Sequence, residues 1–392
     1  MPDVALLALI VVAMLAGYLL GRRDLRKKNQ FQSSGQPLSK EYFVGLNYLL
    51  NEQTDEAIET FIKALDLNND TVDTYLALGS LFARRGEVEK SIRVHQDLLA
   101  RPSLTSSQSL RVQLELAKDF MQAGLLDRAE AMLADMAKNN HEYRPEALQQ
   151  LLKIYEQERE WSKAVAVGEE LRKSGEDQYG VVLAHFYCEG AQICLDRNDR
   201  VSARKAIRQA FTRDKNCVRA SLLLARMEFD DARYRDCIKA LEKVAQQNSQ
   251  YVPLTLELLE QAYNRLGNVR GFSAFLGRCL SDRPGGAVIL AMTKVLACDR
   301  GDEQALRFLT DQLGKNPSLK GLNALMTLQL RNPTVGSLQS IRLLKEMTDK
   351  MLELKPVYQC NSCGFSGKEM HWMCPGCHSW GAIAPVQGIE GE

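Results

Sequence analysis

The residues of this 392-residue chain best suited to chemistry are four cysteines crowded near its C-terminus. Cys360-Asn361-Ser362-Cys363 and Cys374-Pro375-Gly376-Cys377 are two C-x2-C pairs with ten residues between them. Each pair can form a tight knuckle whose backbone N–H groups point at sulfur, and Gly364 and Gly376 permit the turns this needs. Four thiolates favour tetrahedral coordination, which suits one ion of zinc or iron. The sequence therefore offers Cys360, Cys363, Cys374 and Cys377 as the ligands of a single four-thiolate metal ion, iron or zinc. His371 and His378 lie in the same stretch, but four cysteines already complete the shell.

These knuckles resemble those of rubredoxins, with C-x-x-C-G followed by an aromatic residue, Phe365, and then C-P-x-C. Rubredoxins have a longer loop between the pairs and a glycine where His378 stands, a departure that bears on redox activity and not on metal binding. Residues 355–387 are too few to build a core. Metal ligation is expected to supply the folding energy, on the order of 10 kcal/mol or more. Phe365, Trp372 and Trp380 are the side chains available to cover the site or dock it on a larger body.

That body must be helical, and it repeats. Val44-Gly45, Tyr48, Ala57, Phe61 and Ala64 are followed by Leu78-Gly79, Phe82, Ser91, His95 and Leu98, with Gly45 and Gly79 34 residues apart. Period and pattern match the tetratricopeptide repeat, a helix–turn–helix unit. The frame continues through Ala117, Phe120 and Ala129, then Leu148, Leu151, Tyr155 and Ala164, with Pro145 opening the helix. Later units carry Tyr187, Ala191 and Ala203, then Leu224, Ala225 and Cys237, then Leu256, Leu259, Tyr263 and Phe272, and last Ile289, Leu296, Ala305 and Leu309. Gly86, Gly124, Asn198 and Gly267 recur at the turn position and Gly301 one place later, as a left-handed helix end requires. The expected fold is all-α: a tetratricopeptide-repeat superhelical solenoid of about eight units over residues 38–317. A helical pair at 318–354 and the metal ribbon at 355–387 follow.

In such arrays the first helix of each unit lines a groove that receives peptides or proteins. The groove positions of this frame include Arg84, Arg111, Lys118, Gln122, Arg219 and Arg226, a basic set suited to an acidic or carboxylate-bearing partner.

At the other end, Val4 to Leu20 is uncharged and almost wholly apolar. Its helical rise of about 26 Å approaches the ~30 Å hydrocarbon thickness. Arg22, Arg23, Arg26, Lys27 and Lys28 follow at once. Positive flanks stay cytoplasmic, so residues 1–20 read as a transmembrane helix with its N-terminus out, and 21–37 as a basic flank and linker to a cytoplasmic body. A cleaved signal peptide would carry its charges before the apolar stretch. The cytoplasm keeps thiols reduced, so the C-x2-C pairs point to metal and not to disulfides.

Fifty basic and 49 acidic residues give a net charge of +1. A nucleic-acid binder carries a basic excess that is missing here. There is no phosphate-binding glycine loop, HExxH or GxSxG. Glu156–Glu160 reads as a solvated helix face, and His95, His141 and His185 as packing or surface residues of the repeats. The chain is expected to bind other proteins and not to be an enzyme.

The order of these elements resembles the lipopolysaccharide assembly protein B family of Gram-negative bacteria. The likeness spans the whole chain and is most specific from Glu41 to Glu52 and from Tyr358 to Trp380. It implies a single-pass inner-membrane protein with its body in the cytoplasm. It implies an adaptor that helps the membrane-anchored AAA+ metalloprotease degrade the deacetylase committing precursors to lipid A. A further inner-membrane protein that senses lipopolysaccharide restrains such an adaptor. The four ribbon cysteines of the family carry over onto Cys360, Cys363, Cys374 and Cys377. Two other readings are a general scaffold for lipopolysaccharide-synthesis proteins with no role in proteolysis, and a rubredoxin-like electron carrier.

Overall fold

The computed structural model describes residues 72–389 apart from 103, 140–141, 174–178, 283–284 and 332–337, with a few helical residues between 44 and 60. The expected membrane span at 1–20, the linker at 21–37 and most of the first repeat unit lie outside the described residues. Among the described residues no helix is long and apolar enough to cross a membrane. Among the described residues sixteen α-helices come first and three short strands last, with no strand before Tyr358.

The helices form two compact units that divide between Tyr143 and Arg144. The first contains α1 (Val72–Arg84), α2 (Val88–Leu99), α3 (Ser106–Gln122) and α4 (Leu126–Asn139). The second opens with α5 (Arg144–Gln157), α6 (Trp161–Lys173), α7 (Tyr179–Asp196) and α8 (Arg200–Arg213). It continues with α9 (Val218–Asp230), α10 (Tyr234–Gln247), a 3-10 turn at Ser249–Tyr251, α11 (Pro253–Arg265) and α12 (Val269–Asp282). α13 (Gly286–Arg300), α14 (Asp302–Lys315), α15 (Leu319–Arg331) and α16 (Leu338–Leu354) complete the described helices.

The small residue of the repeat frame has a visible cause. A Cβ on Gly79 would lie 2.2 Å from Nε2 of His95, and Ser91 Oγ donates to the Gly79 carbonyl at 2.8 Å. α1 and α2 therefore meet backbone to side chain, as the glycine permits. His95 is fully buried, with Nδ1 2.6 Å from Oδ2 of Asp119 on α3, so it joins one repeat to the next. In later units Ala117, Ala129, Ala164, Ala191, Ala203, Ala225, Cys237 and Ala305 are all completely buried. First helices of successive units pack on one another, α1 on α3, α7 on α9, α9 on α11, α11 on α13 and α13 on α15, and so form the inner wall of each unit.

Seven described turns between paired helices share one feature. Positive φ occurs at Gly86, Gly124, Arg159, Asn198, Ala232, Gly267 and Gly301. In six of these turns the following N–H reaches back to the carbonyl five residues earlier: Glu87 to Phe82, Leu125 to Phe120, Glu160 to Tyr155, Asp199 to Cys194, Arg233 to Glu228 and Asn268 to Tyr263. This is the Schellman closure, which satisfies carbonyls the helix leaves open. Arg159 and Ala232 occupy the glycine place with a Cβ, at φ 59° and 57°. Replacing Ala232 with glycine should therefore stabilise the second unit by about 1 kcal/mol. Urea unfolding of the two forms checks this.

The C-terminal ribbon is a three-stranded antiparallel sheet in the order β2-β1-β3, with β1 at Tyr358–Cys360, β2 at Ser366–Gly367 and β3 at Ile383–Pro385. Tyr358 pairs with Gly367 on one side and Pro385 on the other. This register places Cys360 against Ile383 and sets the first knuckle at the end of the central strand.

Candidate metal centre

The two knuckles have one geometry. Gly364 N–H donates to the Cys360 carbonyl and His378 N–H to the Cys374 carbonyl, both at 2.9 Å. In return Cys360 N–H donates to Phe365 O at 2.7 Å and Cys374 N–H to Ser379 O at 3.0 Å. Gly364 and His378 occupy equivalent places, both with positive φ, 79° and 56°. His378 is thus the backbone equivalent of the first knuckle's glycine and accepts the left-handed conformation at some cost.

The four Sγ atoms all lie within 4.8 Å of one another. Cys360 and Cys377 are 3.8 Å apart, and Cys363 and Cys374 3.6 Å. A tetrahedron with metal–sulfur bonds of about 2.3 Å has edges of about 3.8 Å, so this donor set fits one zinc or iron ion. Burial works against the Cys360 thiolate, but N–H groups of Cys363 and Ser362 outweigh it and hold that thiol below its usual range. The Ser379 hydroxyl and then its N–H lower Cys377 to about 6. Cys363 is raised instead, to about 12: the lowering pull of the Phe365 N–H is outweighed by hydrogen bonds with the other thiols and by burial. Phe365 packs within the ribbon beside Cys360, Cys374 and Ile383 and closes one side of the cluster.

The two tryptophans face the helices. Trp380 stacks on His185 of α7 at 5.2 Å between ring centres and meets Phe186 and Trp161 edge-on at 5.7 and 6.1 Å. Its indole N–H donates to Oε1 of Glu156 on α5 at 2.5 Å. Trp372 stacks on Tyr251 at 5.8 Å. The Tyr251 hydroxyl lies 2.9 and 3.0 Å from the carbonyls of Ile383 and Gly381, so a single proton serves two acceptors of the ribbon backbone. A Cβ on Gly381 would come within 2.9 Å of the His185 ring, and its φ is 63°; both facts require glycine there.

Arg219 of α9 completes the seat. It is buried, pairs with Glu189 at 2.9 Å, and lies 5.9 and 6.0 Å from the rings of Trp372 and Trp380. Cation–π attraction of a partly desolvated guanidinium adds to the packing. The other groove residues named from the sequence are placed elsewhere. Arg84, Arg111, Gln122 and Arg226 are exposed and Lys118 half-buried. Arg111 pairs with Asp73 at 2.8 Å and Lys118 with Glu115 at 2.7 Å. Gln122 donates to Ala83 O at 2.9 Å, and Arg226 lies 3.7 Å from Asp230.

The sequence reading of Glu156 as part of a solvated face needs correction. Its carboxyl sits against the ribbon, and burial raises its pKa against the opposing pull of the Trp380 N–H. His185 belongs to the packing class, but as a docking residue. Tyr251 carried no sequence signal at all, since it lies in a 3-10 turn between repeats.

His185 gives the docked state a pH dependence. Burial first, and then the nearby Arg219, lowers its pKa to about 3 from the ordinary 6.5. Between these values the unfolded chain binds the proton and the folded chain does not, so stability is lost as pH falls below about 6.5. From pH 7 to pH 5 this group alone should cost about 2 kcal/mol. Comparing urea unfolding at the two pH values for the parent and His185→Phe isolates the contribution, and equal pH slopes in both would refute it.

A helical repeat array carrying a rubredoxin-type ribbon against its first-helix wall defines a tetratricopeptide-repeat protein with an integral candidate metal centre. Residues 358–385 match the model of the rubredoxin metal binding domain, and residues 74–105 that of the tetratricopeptide repeat. The chain is 35% identical to lipopolysaccharide assembly protein B of Escherichia coli strain K12, over 98% of this chain and 99% of that one. It is also 35% identical to lipopolysaccharide assembly protein B of Haemophilus influenzae, over 98% of each chain. A tetratricopeptide repeat protein of known structure from Parabacteroides merdae aligns over 80% of this chain and 100% of its own, at 12% identity and a TM-score of 0.30. The chain belongs to the lipopolysaccharide assembly protein B family.

Proposed function

We propose that this chain is a membrane-tethered, non-enzymatic adaptor that limits lipopolysaccharide synthesis. It presents the lipid A-committing deacetylase to the membrane-anchored AAA+ metalloprotease and is itself restrained by an inner-membrane protein that senses lipopolysaccharide. The observation that carries this reading is the end-to-end similarity to relatives named for lipopolysaccharide assembly, on a repeat fold suited to binding proteins. The apolar stretch from Val4 to Leu20, with its basic flank, supports a single inner-membrane span with the N-terminus out and the body in the cytoplasm. Such a tether raises the effective concentration of partners confined to the same membrane.

In this reading Cys360, Cys363, Cys374 and Cys377 hold one zinc or iron ion whose role is structural: bound, it cross-links the two knuckles. The chain's own residues do the rest. Trp372, Trp380 and Gly381 seat the ribbon, while Glu156, His185, Arg219 and Tyr251 receive it. Arg84, Arg111, Lys118 and Gln122 of the first unit remain a polar set offered to an acidic segment of a client, and Arg226 is exposed on the second unit.

The test is the half-life of the deacetylase in cells with and without this chain. A several-fold longer half-life on its removal supports the adaptor. An unchanged half-life with altered lipopolysaccharide output favours the plain scaffold, a reading that the word "assembly" in the relatives' name keeps in view.

A further inference from the structure

The last helix of the chain carries an apolar face that nothing among the described residues covers. On α16, Leu343, Leu344, Met347, Met351 and Leu354 are between 50% and 84% exposed. Their spacing puts them on one stripe. The opposite side of α16 is the packed one: Thr348 is buried, and Asp349 bonds Asn323 of α15 at 2.6 Å and Lys345 at 2.7 Å. The stripe is therefore not a misplaced core face. Five large apolar side chains in one patch on a soluble surface mark an interaction site.

The rim of the stripe identifies the occupant. Arg342, Glu346, Lys350 and Glu353 are all exposed and lie along one flank, so the charge alternates plus, minus, plus, minus. A second α16 running antiparallel, related by a two-fold axis near Met347, meets this flank with its own copy reversed. Glu346 then faces Lys350 of the second copy, and Arg342 faces Glu353, each pair occurring twice. In the same register Leu344 faces Met351, Leu343 faces Leu354 and Met347 lies beside itself, so apolar residues meet only apolar residues. A flank that is its own complement under a two-fold is what an isologous contact requires. An anionic lipid surface has no such match, because two of the four rim residues are acidic.

We propose that two copies of this chain associate through antiparallel pairing of their α16 helices. The stripe and its alternating rim become buried and paired in the dimer, and the repeat arrays are left free for other partners.

The test uses the full chain in detergent micelles, with its mass measured by sedimentation or light scattering over a concentration series. The parent should be dimeric. Met347→Glu brings two like charges together at the axis and should weaken the dimer by roughly 100-fold or more, with an unchanged helical melt. Glu346→Lys and Lys350→Glu should each weaken it about tenfold, and the double exchange should restore it, since the pairs are re-formed with reversed sign. Met347→Cys should cross-link to itself with a short bis-maleimide above the background of the parent, whose Cys298 is already exposed. A monomeric parent overturns the proposal. So does a dimer indifferent to Met347→Glu, which would place the contact elsewhere, or a double exchange that fails to restore association.

Discussion

Replacing Cys374 with serine should abolish metal binding and also lower the melting temperature of helices that hold no ligand. The first half follows from the donor set. Cys374 is fully buried and lies 3.6 Å from Cys363, so its loss removes one corner of the tetrahedron. A ribbon of this length has little core besides its knuckles, and ligation is worth on the order of 10 kcal/mol. The second half follows from the seat. When the ribbon unfolds, the Tyr251 and His185 stacks and the Glu156 bond are lost together. Two half-buried tryptophans at about 1.5–3 kcal/mol each come to several kcal/mol. For a unit of this size that is a fall of roughly 10 °C. Metal content per chain and the circular dichroism melt of the same preparation measure both halves. A variant that loses its metal but keeps the parent's helical melt would sink the coupling of ribbon to array.

Much of this architecture was legible in the sequence, and the reasons differ by element. The repeat frame was readable because its constraint is local. A side chain at Gly79 collides with His95, and a residue of positive φ follows seven of the first helices, so both leave marks at fixed offsets. Where the chain tolerates strain the mark disappears: Arg159 and Ala232 hold the same turn without glycine. The cysteine tetrad was readable because ligand spacing is set by knuckle geometry within each pair. The seat was not. Glu156 and Trp380 meet across 224 positions and Tyr251 and Gly381 across 130, and neither partner's sequence context names the other. Arg219 shows the limit best. The repeat frame put it among groove-facing residues; its guanidinium lies under the ribbon's tryptophans, and helical periodicity does not report what packs against a helix face.

Trp380→Ala should separate docking from metal binding. Cys377 keeps its Ser379 partner and all four cysteines are retained, so the variant should still bind one ion per chain. It should lose the His185 stack, both aromatic edge contacts and the bond to Glu156. Truncating a large aromatic at a packed contact costs about 3 kcal/mol or more. Part of that is the Glu156 carboxyl, which loses its indole donor. Trp380→Phe keeps most of the ring contact and removes only the N–H, and should cost about 1–2 kcal/mol. Glu156→Gln supplies a neutral acceptor and should cost less than Trp380→Ala. Chelator extraction gives the decisive readout. If the array holds the ribbon closed over its knuckles, Trp380→Ala should release metal several-fold faster than the parent at equal starting occupancy. Equal extraction rates, together with a lowered helical melt, would mean that the ribbon stabilises the array while the array does nothing to retain the metal.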